Sequence, residues 1–271
     1  MLKWDSINIW GRRASDGAAA PVSPVRDLML EAVISHEQVD LLYQPLIDAR
    51  SGEMIGAEAL ARSTVARDAE SLFERAHSAR LDERLSRVVQ RKALRCAAVW
   101  EGPLKRLKIS MNLLPADISR AGYEDWLLEE IEAAAIDPAR VTLEITENAL
   151  LADRESVAAR LGRLREAGLR IAVDDLGTGY SSLSYLTTLP LDMVKIDRAL
   201  VAHIVERDRD RIVVRTLIRL ARELGLQVVV EGVETPAQLA LIQDWGCDLY
   251  QGFIGAAPLS HEELTRFASA A

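Results

Sequence analysis

The chain has 271 residues, with 33 lysines and arginines against 41 aspartates and glutamates, a net charge of −8, and 49% hydrophobic and 27% charged residues. That length fits one or two domains, or a single (β/α)8 barrel of about 250 residues, and the composition supplies a large core. The acidic balance argues against a nucleic-acid binder that works through a basic surface, and no apolar run reaches the ~18–20 residues of a membrane span.

The opening residues, MLKWDSINIW, are broken by Asp5, Ser6 and Asn8 and carry no secretory apolar stretch. Residues 1–26, with the Pro/Gly-punctuated run WGRRASDGAAAPVSPVR, read as a flexible arm or linker ahead of a domain over 27–271. Trp4, Ile7, Ile9 and Trp10 either dock on the domain or a partner, or stay loosely tethered. VDLLYQPLI and MIGAEALAR, joined by DARSGE, predict a hairpin. LDERLSRVVQRKALRCAAVW follows with helical periodicity, its face set by Leu81, Leu85, Val88, Val89, Lys92 and Leu94. Strands LKISMN, VTLEIT, LRIAVDD, LDMVKID, LQVVVEG and CDLYQG then alternate with helical stretches. Gly168 and Gly225 end two of those helices, Thr235 with Pro236 starts a third, and Ser260 caps the last. Short buried strands alternating with helices mean right-handed βα units on a parallel sheet. Eight candidate strands without a dinucleotide-binding glycine fingerprint favour an α/β closed barrel, and the opening hairpin implies one antiparallel strand in it. The two cysteines, Cys96 and Cys247, match no disulfide framework and no zinc spacing. They read as buried thiols in a reducing cytoplasm.

What ends each strand carries the chemistry. Glu58 lies in AEAL, Asn112 ends KISMN, Glu144 lies in TLEIT, and Asp174 and Asp175 end IAVDD. Lys195 and Asp197 lie in VKID, Glu231 ends VVVEG, and Gln251 follows DLY. In a barrel the carboxyl ends of the strands share one face. A single acid there is often a helix cap, but acids or amides at nearly every strand end repel one another unless a cation neutralises them. All-oxygen ligands point to hard divalent cations such as Mg2+ or Mn2+. Adjacent Asp174 and Asp175 can bridge two ions, an arrangement suited to phosphoryl chemistry. Lys195 is the only lysine after Lys108 and sits in an apolar strand. It either orients water or phosphate at the cations, or makes a structural salt bridge to one carboxylate. The DDLGTGYSS segment fits no phosphate-loop spacing and reads as a mobile loop beside the metal site.

The ordered set YQPLID, GAEALAR, SMN, LEITE, DDLGTGYSSL, VKID, EGVET and YQGF resembles the EAL family of cyclic di-GMP phosphodiesterases over roughly residues 28–268. The resemblance implies a (β/α)8 barrel with one antiparallel strand and metal-dependent hydrolysis of cyclic di-GMP to linear pGpG. It makes Glu58, Asn112, Glu144 and Asp174 ligands of one Mg2+ or Mn2+, with Asp174 bridging to a second held by Asp175 and Glu231. Ca2+ is expected to bind and support turnover poorly. Lys195 then holds the attacking water or the scissile phosphate, Asp197 supports it, and Glu231 takes the water's proton. Arg62 holds a substrate phosphate, Gln44, Leu60 and Gln251 line the nucleotide pocket, and Glu234 holds the DDLGTGYSS loop. The family also implies a homodimer through the loop around 176–185, and the arm offers a place for a regulatory partner. No cyclase-like, receiver or sensor domain is evident in the sequence. Two departures stand out: Ser63 with a short, proline-free stretch after Arg62, and Leu176 where the family has phenylalanine. A binding module that holds cyclic di-GMP without cleaving it is the alternative, although such members typically lose metal ligands or the lysine.

Overall fold

The computed structural model describes residues 26–146, 154–177 and 183–270. Residues 1–25 of the expected arm and the TGYSS half of the DDLGTGYSS loop, 178–182, lie outside them. Eight strands close into one barrel in sequence order: β1 (Asp40–Asp48), β2 (Met54–Arg62), β3 (Lys108–Leu113), β4 (Val141–Thr146), β5 (Arg170–Leu176), β6 (Met193–Ile196), β7 (Gln227–Val230) and β8 (Leu249–Tyr250). β1 pairs antiparallel with both β2 and β8, and the other neighbours pair in parallel. The cause is local. Residues 49–53 are too few for a crossover, so β2 must return beside β1 as a hairpin. The Asp48 carboxylate accepts the Arg50 and Ser51 amides, and Gly52 at φ +76° completes the turn.

Helices surround the barrel: α1 (Leu28–Ser35), α2 (Ala69–Ala79), α3 (Asp82–Ala98), α4 (Pro115–Ile118), α5 (Tyr123–Ala134), α6 (Arg154–Glu166), α7 (Tyr185–Thr188), α8 (Arg198–Val201), α9 (Asp208–Glu223), α10 (Pro236–Asp244) and α11 (His261–Ala270). The expected punctuation is present. Thr235 caps α10 reciprocally with Gln238, and Gly168 and Gly225 turn the chain at positive φ after α6 and α9. α1 and α2 are additions to the sequence reading. Asp27 accepts the Leu30 amide, and Asp68 and Ser71 form a capping box. Both caps are short polar residues. On α3, Lys92 marks the edge of the buried face, reaching the Val39 carbonyl.

Two apolar clusters fill the molecule. The larger lies between strands and helices. The smaller, Leu46, Ala172, Met193, Val229 and Leu249, packs inside the barrel. Side chains alternate across a strand, so the residue two positions further points inward again, one layer up. Above Ala172, Met193, Val229 and Leu249 that rule places Asp174, Lys195, Glu231 and Gln251, and above Leu46 on the reversed β1 it places Gln44. Among the described residues no helix is long and apolar enough to cross a membrane.

Candidate active site

Each of the eight strands brings a polar side chain to the mouth of the barrel, and one ammonium ties most of them together. Lys195 Nζ lies 2.7 Å from Glu144 Oε2, 2.7 Å from Glu231 Oε1, 3.2 Å from Glu58 Oε2 and 3.3 Å from Asp174 Oδ1. Only 1% of the lysine is exposed. Around this centre Asn112 Nδ2 donates to Glu58 Oε1 at 3.2 Å, and Gln251 Nε2 donates to Glu58 Oε2 at 2.8 Å and to Gln44 Oε1 at 3.0 Å. The Asp175 amide donates to Asp174 Oδ1 at 3.0 Å. Asp175 itself has φ +58°, where β5 departs from its regular register with β6 between Val173 and Leu176. That irregularity lets two successive acids stay at the mouth instead of one turning outward.

The electrostatics follow from burial and crowding. Burial works against the lysine's charge, yet Asp174, Glu144, Glu231 and Glu58 together hold its ammonium well above the ordinary lysine range. Burial and then the Glu58 charge push Glu144 up to about 8. Burial, with the charges of Asp174 and Asp197, pushes Asp175 up to about 7. Burial also raises Asp174 and Glu231, against the pull of Lys195. Glu58 is the exception: burial opposes ionisation, but the Lys195 charge and hydrogen bonds from Gln251, Lys195 and Asn112 leave it below the ordinary carboxylate value. Three side chains, Asn112, Lys195 and Gln251, donate to it.

Not every predicted residue joins this cluster. Asp197 is buried but turned to the Ala199 amide at 2.8 Å, capping α8. Arg62 ends β2, half-buried, with Nη1 on the Ala61 carbonyl at 2.8 Å; burial lowers its pKa and the Asp68 and Glu58 charges counter that. Glu58, Leu60 and Arg62 alternate along one face of β2, opposite Gln44, Leu42 and Asp40 of β1. β3 pairs with β2 only through Glu58, so the hairpin rises past it as a wall over the mouth. Glu234 is exposed beyond β7, its amide on Gln238 Oε1, and the loop segment it is expected to hold lies outside the described residues. Leu176 is buried in the core, where a larger phenylalanine would need more room.

Two residues escaped the sequence reading. Gln90 Nε2 donates to the Asn112 carbonyl at 3.0 Å, and Tyr123 Oη donates to Gln90 Oε1 at 2.8 Å. The available signal was a glutamine one helical turn from Ser86, on the buried face of α3.

The donor set suits hard divalent cations. Glu58, Glu144, Asp174, Asp175 and Glu231 outnumber Lys195 by four charges, which two divalent ions neutralise. Among the described residues no three acids are already spaced as a cation cage, because the carboxylates are spaced about the ammonium instead. The buried Gln251 Oε1 has no hydrogen-bond partner among the described residues, leaving an acceptor open at the mouth.

The sequence model of the EAL domain matches residues 27–258. The chain is 34% identical over 246 residues to cyclic di-GMP phosphodiesterase NbdA of Pseudomonas aeruginosa, covering 89% of this chain and 31% of that protein. It thus spans about a third of the length of that curated relative. Among solved structures, the PaMucR phosphodiesterase in complex with c-di-GMP superimposes with a TM-score of 0.81 at 32% identity, covering 87% of this chain and 97% of that one. The Klebsiella pneumoniae BlrP1 manganese and cyclic di-GMP complex at pH 6 gives 0.75 at 30% identity, covering 82% and 56%. BlrP1 also forms a calcium and cyclic di-GMP complex.

Proposed function

The chain belongs to the EAL domain family, and from that premise we propose that it hydrolyses cyclic di-GMP to linear pGpG with divalent cations at the barrel mouth. The observation that carries the reading is the convergence of Glu58, Glu144, Asp174 and Glu231 on Lys195, with Asn112 and Asp175 beside them.

Glu58, Asn112, Glu144 and Asp174 would hold one ion, and Asp174, Asp175 and Glu231 the other. Mg2+ or Mn2+ at these sites supplies charge neutralisation for the phosphoryl oxygens and a water acidic enough to ionise near neutral pH. Lys195 would hold the attacking water or the scissile phosphate, Asp197 would support it, and Glu231 would take the water's proton. Arg62 holds a substrate phosphate through its planar fork, Gln44, Leu60 and Gln251 line the nucleotide pocket, and Glu234 holds the loop around 176–185. Ca2+ occupies the same ligands with looser coordination and supports turnover poorly. In this reading residues 1–26 are an arm or linker ahead of a catalytic domain over 27–271, and a regulatory partner acts at the arm. Two copies pair through the 176–185 loop, in the cytoplasm.

The test is product analysis: cyclic di-GMP incubated with purified protein and Mg2+ or Mn2+, against EDTA and Ca2+ controls, with the nucleotides separated by chromatography. Metal-dependent pGpG is the expected result. Tight binding of intact cyclic di-GMP without cleavage supports a receptor instead, and neither binding nor cleavage overturns the reading.

A further inference from the structure

We infer that Gln90 and Tyr123 are positioning residues that set the end of β3 and so the aim of Asn112 toward its cation. β3 keeps β4 as a partner to Leu113 but loses β2 after Ser110. In that half-free stretch the Asn112 carbonyl takes its hydrogen bond from Gln90 on α3, and the Asn112 side chain then reaches Glu58. The amide orientation is determined. A backbone carbonyl only accepts, so Nε2 must face Asn112, and Oε1 is left to accept from the Tyr123 hydroxyl. Tyr123 is fixed in turn by its ring, 5.7 Å from Trp126, with the Arg87 guanidinium 4.8 Å over Trp126. Gln90 is 1% and Tyr123 0% exposed, so neither group has water as a substitute partner. Burying a glutamine and a phenol for packing alone is costly; here both are satisfied, and their chain ends on the backbone of a metal-site residue. Outer contacts of this kind typically alter metal affinity by about 10–100-fold when removed.

The inference rests on the metal-assisted reading above, and the test separates the two. Mn2+ affinity of the metal-free protein is measured by calorimetry on wild type, Gln90→Leu, Gln90→Glu, Tyr123→Phe and Leu264→Ala, each first checked for folding by circular dichroism. Leu264→Ala removes a fully buried side chain of α11 and serves as a destabilised control. Gln90→Leu is expected to weaken Mn2+ about tenfold, Gln90→Glu at least as much because its carboxylate opposes the Asn112 carbonyl, and Tyr123→Phe a few-fold, while Leu264→Ala binds as wild type. At saturating Mn2+, cyclic di-GMP KM is expected to stay unchanged. Wild type that binds no Mn2+ sinks the metal reading itself. Wild-type affinity in folded Gln90→Leu and Tyr123→Phe, or an equal loss in Leu264→Ala, overturns the positioning role alone.

Discussion

The floor and the mouth of this barrel are made by the same strands two residues apart, and they are opposites. Leu46, Ala172, Met193, Val229 and Leu249 form a dry layer that favours folding. Directly above, Gln44, Asp174, Lys195, Glu231 and Gln251 form a layer whose acids are held together by one ammonium. Alternation puts both layers on the inner face, and position along the strand decides which of the two a residue joins. The floor therefore contributes stability and no chemistry. The mouth stores repulsion that a cation can relieve.

The largest way to break this division is at its centre. Lys195→Ala is expected to lower turnover about a thousandfold, the loss typical of a group that stabilises charge in the transition state, while retaining Mn2+. It is also expected to make the thermal midpoint strongly dependent on Mn2+, because four carboxylates lose their counter-charge. Wild-type turnover would make Lys195 a structural salt bridge only. On the floor, Leu249→Ala is expected to cost about 3 kcal/mol in urea unfolding with Mn2+ affinity unchanged. A lost Mn2+ site in a folded Leu249→Ala protein would mean the layers are not independent.

pH sharpens the same contrast. Glu144 at about 8 and Asp175 at about 7 lie above their unfolded values, so the metal-free protein carries protons there at neutral pH. Stability they contribute is complete below the unfolded carboxylate pKa and is lost as pH rises through 7 to 8. Mn2+ must displace those protons, so its affinity is expected to rise between pH 6 and 8, with proton release seen by calorimetry in buffers of different ionisation heat. Asp68, on the α2 cap near Arg62 and outside the Lys195 cluster, has the opposite sign. The Ser71 amide helps hold it at about 2, so its contribution is present above the unfolded pKa and lost as pH falls toward 2. Asp68→Ala is expected to cost about 1 kcal/mol at pH 7 and less at pH 3.

Much of the mouth could be read in advance because each of its residues is a polar interruption within or at the end of an apolar strand: Glu58, Asn112, Glu144, Asp174, Asp175, Lys195 and Glu231 were all visible in this way. Their common partner was not. Lys195 and Glu58 are 137 positions apart, and only closure of the barrel brings them within 3.2 Å. The positive φ of Asp175 gave no sign either, since aspartate, although tolerated in that region, far more often takes ordinary backbone conformations. Gln90 and Tyr123 were hidden for another reason. Each sits on a helix face that packs, where a polar residue is indistinguishable from an ordinary edge position until its partner is known. α1 was missed because it is short and defined by the Asp27 cap, whereas α2, with Leu72 and Ala76 four apart on its buried face, carried a periodicity that the sequence reading overlooked.

The reversal of β1 has a consequence for engineering. Asp40 pairs with Arg62, so this strand begins at the mouth, where the other seven end. α1 comes just before it, and Asp27 at the start of α1 is clasped by Arg75, which also reaches the Val65 carbonyl three residues past Arg62. A module grafted ahead of α1 therefore joins the molecule on the side of the mouth, whereas in a barrel of eight parallel strands the same graft lands at the far end. A light- or ligand-driven actuator meant to throttle the mouth belongs at the amino-terminal junction, with the Asp27–Arg75 clasp as its lever.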